Sequence, residues 1–438
     1  MLSTLAVVSL VVAHVAVVDV TRGALNKDQT VEIEDGRIAS VRPSAGSAVP
    51  EGAQVVDGSG KFLIPGLWDM HVHTAVPAGE SLLGLYIANG VTGVRDMGSD
   101  LATNRAWSKR IEAGTLIGPR IVASGPYLQG GDAALPHYVV RTPDEGRAAI
   151  DSLARSGADF VKLHEMIPPE AFFAVARAAR ERGLVIAGHL QTGVTNEQAV
   201  DSGQRSLEHL KGFPNSCSRA DSVRLSAAHP IQRYVLGECS TVEQTAVYRY
   251  IATRSAWVTP TIMALEMMAA LPSERLPSDT LVHYIPKMLL QAMAAALEIP
   301  SDMPADANAI GRALYRKQLE VVGRMARSGV RLLAGTDAPL PNSVPGFGLH
   351  SELEGMVAAG LTPWEALRTA TIEPSRYFAA DSVGRICVGC VADLVVLEAD
   401  PRADIRNTRR ISMVVARGKT YGAKERAAMK TSAITAAR

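Results

Sequence analysis

The stretch TPDEGRAAIDSLARSGADFVKLH, residues 142–164, contains one complete helix–strand unit. Thr142 and Glu145 have the spacing of a capping box, which predicts that a helix begins here, and Gly157 predicts where the helix ends. The apolar run DFVKLH that follows predicts a buried strand. A helix followed directly by a buried strand is typical of proteins with a parallel sheet.

The same unit recurs along the chain. Pro168 and Pro169 predict the next helix start, Gly183 predicts its end, and LVIAGHL predicts the next strand. TNEQ at 195–198 is a further capping box and is followed by Gly203 and RSLEHL. With the similar runs on either side, the candidate strands number eight: LWDMHVH, VTGVRDM, RIVAS, FVKLH, VIAGHL, SLEHL, WVTPTI and RLLAGTDA. Eight is the number that a closed (β/α)8 TIM barrel needs, so we predict an α/β fold with such a barrel.

The two ends of the chain have a different pattern, in which short alternating runs are separated by turn residues. AHVAVVDV, TVEIEDGRIASVRP and AQVVDGSGKFLIPG precede the first barrel strand, and VADLVVLEAD and RRISMVVARGKTY follow the last. We predict that residues 1–60 and 386–425 together form a small β-sandwich domain. Residues 61–385 would form the barrel, and residues 426–438 a C-terminal tail. Two capping boxes, Ser351–Glu354 and Thr362–Glu365, predict helices after the last barrel strand.

Composition excludes several classes of protein. Lys and Arg number 45 against 44 Asp and Glu in 438 residues, so the chain lacks the excess positive charge that is typical of proteins that bind nucleic acid or an anionic membrane. The apolar N-terminus has no Lys or Arg before Arg22, and His14 and Asp19 interrupt it, so we predict no membrane span. We expect a cytoplasmic protein, or an exported one if the first dozen residues are the remnant of a signal peptide.

Four cysteines are too few for a disulfide scaffold, and we interpret CVGC at 387–390 as a turn between two strands. The expected partner is a small-molecule substrate, and association of the chain with copies of itself is left open.

Histidines and other ligand-type residues follow the predicted strands. His71 and His73, in DMHVHT, are two residues apart on a strand and therefore project from the same face. Four more such residues stand at the ends of other strands: Lys162, His189, His209 and Asp337. In a barrel these strand ends meet at one mouth, where polar groups in an apolar interior need a partner. A metal is the expected partner, because neutral imidazole and carboxylate are good zinc ligands.

These segments resemble the amidohydrolase superfamily. The similar motifs, in chain order, are GLWDMHVHT, GVTGVRDMG, FVKLH, GHL, SLEHL and GTDAP, followed by AGLTPWEALRTATIEPSRYF and VADLVVLEADP. The resemblance covers nearly the whole chain and is strongest to the imidazolonepropionase-like and prolidase-like branch, which includes Xaa-Pro dipeptidases and ochratoxin-type amidases. It implies that His71 and His73 bind one metal with Asp337. It also implies that His189 and His209 bind a second metal and that a carboxylated Lys162 bridges the two.

The implied function is hydrolysis of a C–N amide bond, of the dipeptide or N-acyl amino acid type, by a metal-activated water at a binuclear centre. Zn²⁺, two per chain, is the expected cofactor, with other divalent metals as alternatives. Asp337 is the expected catalytic proton carrier. His164, on the same face of its strand as Lys162, and His137, in the loop after the third strand, are expected to contact the substrate or the ligands.

Two alternatives remain. The first is a hydrolase of cyclic amides or imidazolones with one metal, in which Lys162 does not bridge; the number of metals per chain separates it from the binuclear enzyme. The second, from another class, is a non-catalytic metal-binding barrel. Such a protein would be expected to have lost ligands, whereas all six positions carry a ligand-type residue.

Overall fold

The computed structural model describes residues 10–133, 135–213, 241–269, 280–296 and 307–437. Interpretation of the first dozen residues as the remnant of an export signal therefore concerns residues that lie mostly outside the described ranges. In these ranges the protein has a mixed α/β fold, with one sheet of eight strands, one of seven and one of three. None of the helices they contain is long and apolar enough to cross a membrane.

The eight-stranded sheet, called here the terminal sheet, is built from both ends of the chain. Its strands are β1 (Leu10–Val18), β2 (Leu25–Glu34), β3 (Arg37–Pro43), β4 (Gln54–Asp57), β5 (Phe62–Pro65), β16 (Leu394–Leu397), β17 (Ile411–Ala416) and β18 (Lys419–Tyr421). Strand β5 pairs antiparallel with β16, which joins the N-terminal strands to the C-terminal ones. A hydrophobic cluster of its own, including Val12, Ile33, Leu394 and Val415, packs on this sheet. The composite β-structure from both termini is thus confirmed as a sheet, while its sandwich arrangement stays a prediction.

The other two sheets are parallel and contain all eight strands predicted for the barrel. The three-stranded sheet consists of β6 (Leu67–Val72), β7 (Val91–Asp96) and β8 (Arg120–Ala123). The seven-stranded sheet consists of β9 (Tyr127–Gln129), β10 (His137–Val139), β11 (Val161–Leu163), β12 (Ile186–Gly188), β13 (Gln204–Glu208), β14 (Trp257–Thr259) and β15 (Arg331–Leu332), with β10 at one edge. Strands β9 and β10 are additional to the prediction. Closure of the eight into one barrel stays a prediction, because they are divided between two sheets.

Helices follow most of these strands. They are α1 (Leu83–Ala88), α2 (Leu101–Glu112), α3 (Pro143–Ser156), α4 (Pro169–Glu181), α5 (Asn196–Asp201), α6 (Thr241–Ala252), α7 (Ile262–Ala269), α8 (Lys287–Ala296), α9 (Ala307–Arg327), α10 (Phe347–Ala358), α11 (Pro363–Thr369), α12 (Ile372–Phe378) and α13 (Ala423–Ala437). The capping boxes of α3, α5 and α11, which begin at Thr142, Thr195 and Thr362, are confirmed.

The capping box predicted at Ser351 is wrong. Helix α10 already begins at Phe347, so Ser351 and Glu354 lie in its interior. Both side chains bind Arg409 instead, through 2.7 Å contacts from Arg409 Nη2 to Ser351 Oγ and from Arg409 Nε to Glu354 Oε1. Ser351 and Glu354 therefore have the spacing of a capping box for another reason, which is that both attach the helix to the segment before β17.

The CVGC segment forms a turn, but it lies between α12 and β16 and not between two strands as predicted. The two cysteines, Cys387 and Cys390, are joined by a disulfide bond, which the interpretation as a simple turn omits.

The end of β6 is hydrogen-bonded to the segment that follows β15. Met70 N donates to Ala334 O at 2.8 Å, and His73 N donates to Ala338 O at 2.8 Å. The buried carboxylate of Asp69 strengthens the junction, accepting from Thr336 N at 3.0 Å and from Thr336 Oγ1 at 2.7 Å. These bonds place His71 of β6, and His73 just after it, beside Asp337.

Gly188, directly before His189, tests how tightly the strand ends are packed. Its φ is +135°, and a Cβ there would lie 2.0 Å from the carbonyl oxygen of Leu163. We expect Gly188→Ala to lower the free energy of unfolding by about 3 kcal/mol in urea denaturation, because backbone conformation and packing both oppose the added carbon. Gly157→Ala is the matched control, since Gly157 has a φ of +75° but open space around it. It should cost about 1 kcal/mol, and equal losses at the two sites would contradict the packing argument.

Candidate metal centre

Three side chains converge at the junction between β6 and the segment after β15. His71 Nε2 and His73 Nε2 each lie 3.3 Å from Asp337 Oδ1. The ligand atoms of these three residues all lie within 4.8 Å of one another, as a metal site requires. His71 is fully buried, and its Nε2 has no hydrogen-bond partner among the described atoms. Because an unpaired buried polar atom is costly, this nitrogen fits the position of a metal ligand.

The other ring nitrogens determine where the protons lie. His73 Nδ1 is 2.9 Å from the carbonyl oxygen of Gly98, which can only accept, so this nitrogen carries the proton. His71 Nδ1 is 2.8 Å from Glu208 Oε2, and a carboxylate imposes the same assignment. Both Nε2 lone pairs therefore face the same carboxylate oxygen of Asp337. Three lone pairs that face one another repel unless a cation lies between them, so the donor set fits a metal.

The pKa values of these groups agree with that arrangement. Burial holds the pKa of His71 well below its ordinary value, so its imidazole is neutral, as a metal ligand must be. Burial also lowers the pKa of His73, but the Asp337 carboxylate outweighs it and the net pKa is raised. The Asp337 carboxylate therefore favours positive charge at this place, as a metal site requires.

His189 and His209 extend the group of imidazoles. The His209 ring centroid lies 4.4 Å from that of His71 and 4.8 Å from that of His189. His209 Nδ1 is 2.7 Å from Thr261 Oγ1, whose own hydrogen is donated to the Pro260 carbonyl, so His209 donates and keeps its Nε2 lone pair free. His189 Nδ1 is buried without a hydrogen-bond partner in the described part of the chain, 3.4 Å from a carboxylate oxygen of Glu165. Burial holds the pKa values of both imidazoles well below the ordinary value.

Lys162 lies on β11, 1% exposed, beside Ala187 of β12. Burial lowers its pKa to about 8. No described residue forms a hydrogen bond or ion pair with its amine. After burial itself, the Lys162 charge is among the causes that lower the pKa values of His71, His189 and His209. The lysine is therefore electrostatically coupled to all three imidazoles.

His164 and His137 stand outside this group. The His164 ring lies 4.5 Å from that of His189 and 4.8 Å from that of Tyr127, and its Nδ1 is hydrogen-bonded to Gln129 Oε1. Burial lowers the pKa of His164 to about 4. His137 stacks on Tyr127 with a centroid distance of 5.9 Å, and its Nδ1 donates to the Leu135 carbonyl at 2.9 Å. His164 thus adjoins the imidazoles directly, whereas His137 is one ring further away.

The backbone is strained where these side chains leave their strands. Asp337 and His209 both have φ of 60°, and Thr261 has φ of 49°. Non-glycine residues rarely adopt this left-handed conformation, and it concentrates at functional sites. The amide of Asp337 donates to the His71 carbonyl at 2.7 Å, which holds the strained residue against β6.

Sequence reasoning missed two residues beneath the centre, Arg95 on β7 and Glu208 on β13. Both are fully buried, and Arg95 Nη2 lies 2.9 Å from Glu208 Oε1 while the other carboxylate oxygen binds His71. A signal was present, because two opposite charges occur within strands that are predicted to be covered on both faces. Asp96, next to Arg95, accepts from Gly98 N at 3.1 Å and so shapes the loop whose carbonyl holds His73.

Residues 62–421 match the model of the amidohydrolase family. The chain belongs to this family. Membership classes it with hydrolases that act on carbon–nitrogen bonds and confirms the resemblance seen in its motifs.

Proteins that are similar in sequence to this amidohydrolase include a dihydroorotase and an adenine deaminase. A dihydroorotase from Pelotomaculum thermopropionicum is 26% identical over 400 residues, which cover 88% of this chain and 87% of the relative. Adenine deaminase 3 from Rhizobium meliloti is 28% identical over 205 residues, which cover 41% of this chain. The match spans only 32% of that deaminase.

Two solved structures share the fold over nearly their whole length. Bottromycin amidohydrolase superposes with a TM-score of 0.78 at 22% identity, covering 98% of this chain and 90% of that one. A Xaa-Pro dipeptidase with bound methionine superposes with a TM-score of 0.71 at 19% identity, covering 94% of this chain and 100% of that one. At such low identity the likeness concerns the fold.

The geometry predicts that His73 binds metal and that His137 does not. We expect His73→Ala to lower the amount of zinc bound at saturation, because it removes one of the three converging donors. His137→Ala is the control and should bind as much zinc as the wild type, since its Nδ1 is committed to a carbonyl outside the group. Isothermal titration of the metal-free proteins measures both, and equal losses would show that neither residue is specific to the site.

Proposed function

We propose that the protein is a zinc-dependent amidohydrolase that cleaves the amide C–N bond of a dipeptide or an N-acyl amino acid. The convergence of two histidine lone pairs on Asp337 Oδ1, in a chain of this family, carries the proposal. The folds of bottromycin amidohydrolase and of the Xaa-Pro dipeptidase support the substrate class.

We also propose that the two parallel sheets are parts of one closed (β/α)8 barrel within residues 61–385. Residues 1–60 and 386–425 would form a β-sandwich together with β5, which lies inside the barrel bounds but pairs in the terminal sheet, and residues 426–438 would form a tail. Hydrogen bonds at both junctions support closure. Met70 N donates to Ala334 O at 2.8 Å between β6 and the segment after β15. Asp159 N donates to Ala123 O at 3.0 Å between the segment before β11 and the end of β8.

His71, His73 and Asp337 would hold one zinc ion, and His189, His209 and a carboxylated Lys162 would complete the site for a second. Zinc supplies Lewis acidity, which lowers the pKa of a bound water towards neutrality and polarises the scissile carbonyl. The buried, neutral imidazoles suit this task, because only the uncharged ring is a ligand.

Lys162 is suited to carboxylation. Burial lowers the pKa of its amine to about 8, so an appreciable uncharged fraction exists near neutral pH. The uncharged nitrogen forms a bond to the carbon of CO2 and loses one proton, which leaves an anionic carbamate. An ammonium group would repel dications, whereas the carbamate oxygens attract them and can bridge two.

Asp337 carries the proton. One of its oxygens accepts a proton from the attacking water, and the same proton passes to the nitrogen of the leaving amine as the C–N bond breaks. His164, whose ring adjoins His189, would contact the substrate beside the reacting carbonyl. His137, stacked on Tyr127, would contact a more distant part of it.

A second candidate is a hydrolase of cyclic amides or imidazolones that uses one metal. It is favoured by the group of three close donors, which alone satisfies one zinc, and by the similarity to a dihydroorotase over 88% of the chain. The metal content of the fully active enzyme separates the two candidates.

A substrate panel tests the proposal. We expect the zinc-loaded protein to hydrolyse dipeptides or N-acyl amino acids in preference to lactams and imidazolones. Asp337→Asn preserves size and one coordinating oxygen but cannot accept the proton, so kcat should fall by about 10² or more. Its bound zinc, measured by elemental analysis, should largely remain. No turnover of any C–N substrate by the wild type would refute the function, and normal kcat in the variant would refute the role of Asp337.

The role of Lys162 is tested by metal counting. With ample zinc and bicarbonate we expect about two metals per wild-type chain, because six ligand positions exceed what one tetrahedral zinc uses. Lys162→Ala should lose metal and activity together, and a short carboxylic acid should partly restore both by occupying the bridge. One metal in a fully active wild type, or normal turnover in the variant, would favour the mononuclear candidate.

A further inference from the structure

A continuous hydrogen-bonded chain lies beneath the candidate metal centre and crosses from one parallel sheet to the other. Arg95 on β7 binds Glu208 on β13, and Glu208 binds His71 on β6, with N–O distances of 2.9 Å and 2.8 Å. All three side chains are fully buried. Neither Arg95 nor Glu208 belongs to the group of metal donors. The role of this hydrogen-bonded series of side chains must therefore differ from direct metal binding.

The two oxygens of Glu208 have separate partners. Oε2 faces His71 Nδ1, whereas Oε1 accepts from Arg95 Nη2 and from the Ser206 hydroxyl. An isolated carboxylate would be costly at this depth, and the bonds from the guanidinium and the Ser206 hydroxyl offset part of that cost. With Oε2 as the hydrogen-bond acceptor, the contact fixes His71 in the form that carries a hydrogen on Nδ1 and a lone pair on Nε2.

Arg95 is itself held from several directions. Its Nε donates to the Met70 carbonyl at 2.6 Å, its Nη1 to Ser206 Oγ at 2.9 Å, and its guanidinium carbon lies 4.8 Å from the centre of the Tyr377 ring. The Met70 carbonyl precedes His71 directly in the chain. Arg95 therefore holds the backbone of the histidine as well as the carboxylate that binds its ring.

We propose that Arg95 and Glu208 are positioning residues that set the metal affinity of the centre. Glu208 selects the tautomer of His71 that points a lone pair at the metal, and Arg95 fixes the position of the Glu208 carboxylate. This inference rests on the proposed metal site but assigns its affinity to two residues of strands β7 and β13 that bind neither metal nor substrate. Such outer partners of a metal-binding histidine are typically worth 10- to 100-fold in affinity.

The first test uses the wild-type protein without metal and is independent of any variant. Nitrogen-15 NMR of labelled imidazoles should show His71 protonated at Nδ1, with a slowly exchanging hydrogen, and unprotonated at Nε2. A spectrum with the hydrogen on Nε2, or on both nitrogens at neutral pH, would overturn the proposal.

The second test measures zinc affinity by competition with a chelator. The double variant Arg95→Met/Glu208→Gln removes both buried charges together, which leaves no unpaired ion and often preserves stability. An amide donates as well as accepts, so it no longer selects the His71 tautomer. We expect the Kd for zinc to rise by about 10- to 100-fold in this variant.

The control is Arg120→Met/Asp393→Asn, which removes a partly exposed ion pair of 2.8 Å between Arg120 on β8 and Asp393. It should bind zinc as the wild type does. An unchanged Kd in the folded Arg95/Glu208 variant, or an equal rise in the control, would overturn the positioning role. If the Arg95/Glu208 variant does not fold, the NMR measurement decides. Failure of the wild type to bind zinc would refute the proposed function instead, so the two failures are distinguishable.

Discussion

The hydrogen bonds between Asp69 and Thr336 are the constraint on which the candidate centre depends. They join the first parallel sheet to the segment that carries Asp337, and they do so inside the protein, where Asp69 is fully buried. Burial raises the pKa of this carboxyl to about 7, against the opposing effect of the bonds from Thr336. Together with the backbone bonds from Met70 and His73, this junction holds the two histidines beside Asp337.

The strands and helices were largely predictable from the sequence, because they depend on local patterns. Each of the eight apolar runs is a strand, and the capping boxes at Thr142, Thr195 and Thr362 begin helices. Strand β10, which carries His137, was missed because its residues, HYV, are only partly buried and do not form an apolar run. Ser351 was misassigned because its contact is to Arg409, a residue distant in the chain.

The candidate site was predictable in its donors but not in their support. His71, His73 and Asp337 stand out because ligand-type residues end otherwise apolar strands. The hydrogen-bond partners of the imidazole rings could not be predicted from such a pattern. His73 is held by a backbone carbonyl, which every residue has, and His209 by the hydroxyl of Thr261, which carries no distinctive pattern. Among the supporting residues, only Arg95 and Glu208 could have been recognised in the sequence, because they are charged residues within strands that are predicted to be buried.

The pairing of β5 with β16 has a consequence for synthesis of the protein. Phe62–Pro65 pairs with Leu394–Leu397, so the terminal sheet cannot be completed until residue 397 has been synthesised and has left the ribosome. At ordinary rates of translation of about 5–20 residues per second, β16 is synthesised roughly 15 to 70 seconds after β5. During that time one edge of β5 offers unpaired backbone groups, which are a template for association with other chains. The nascent protein therefore carries an aggregation-prone edge that the finished protein conceals, and a chaperone that shields residues 62–65 would matter most in this interval.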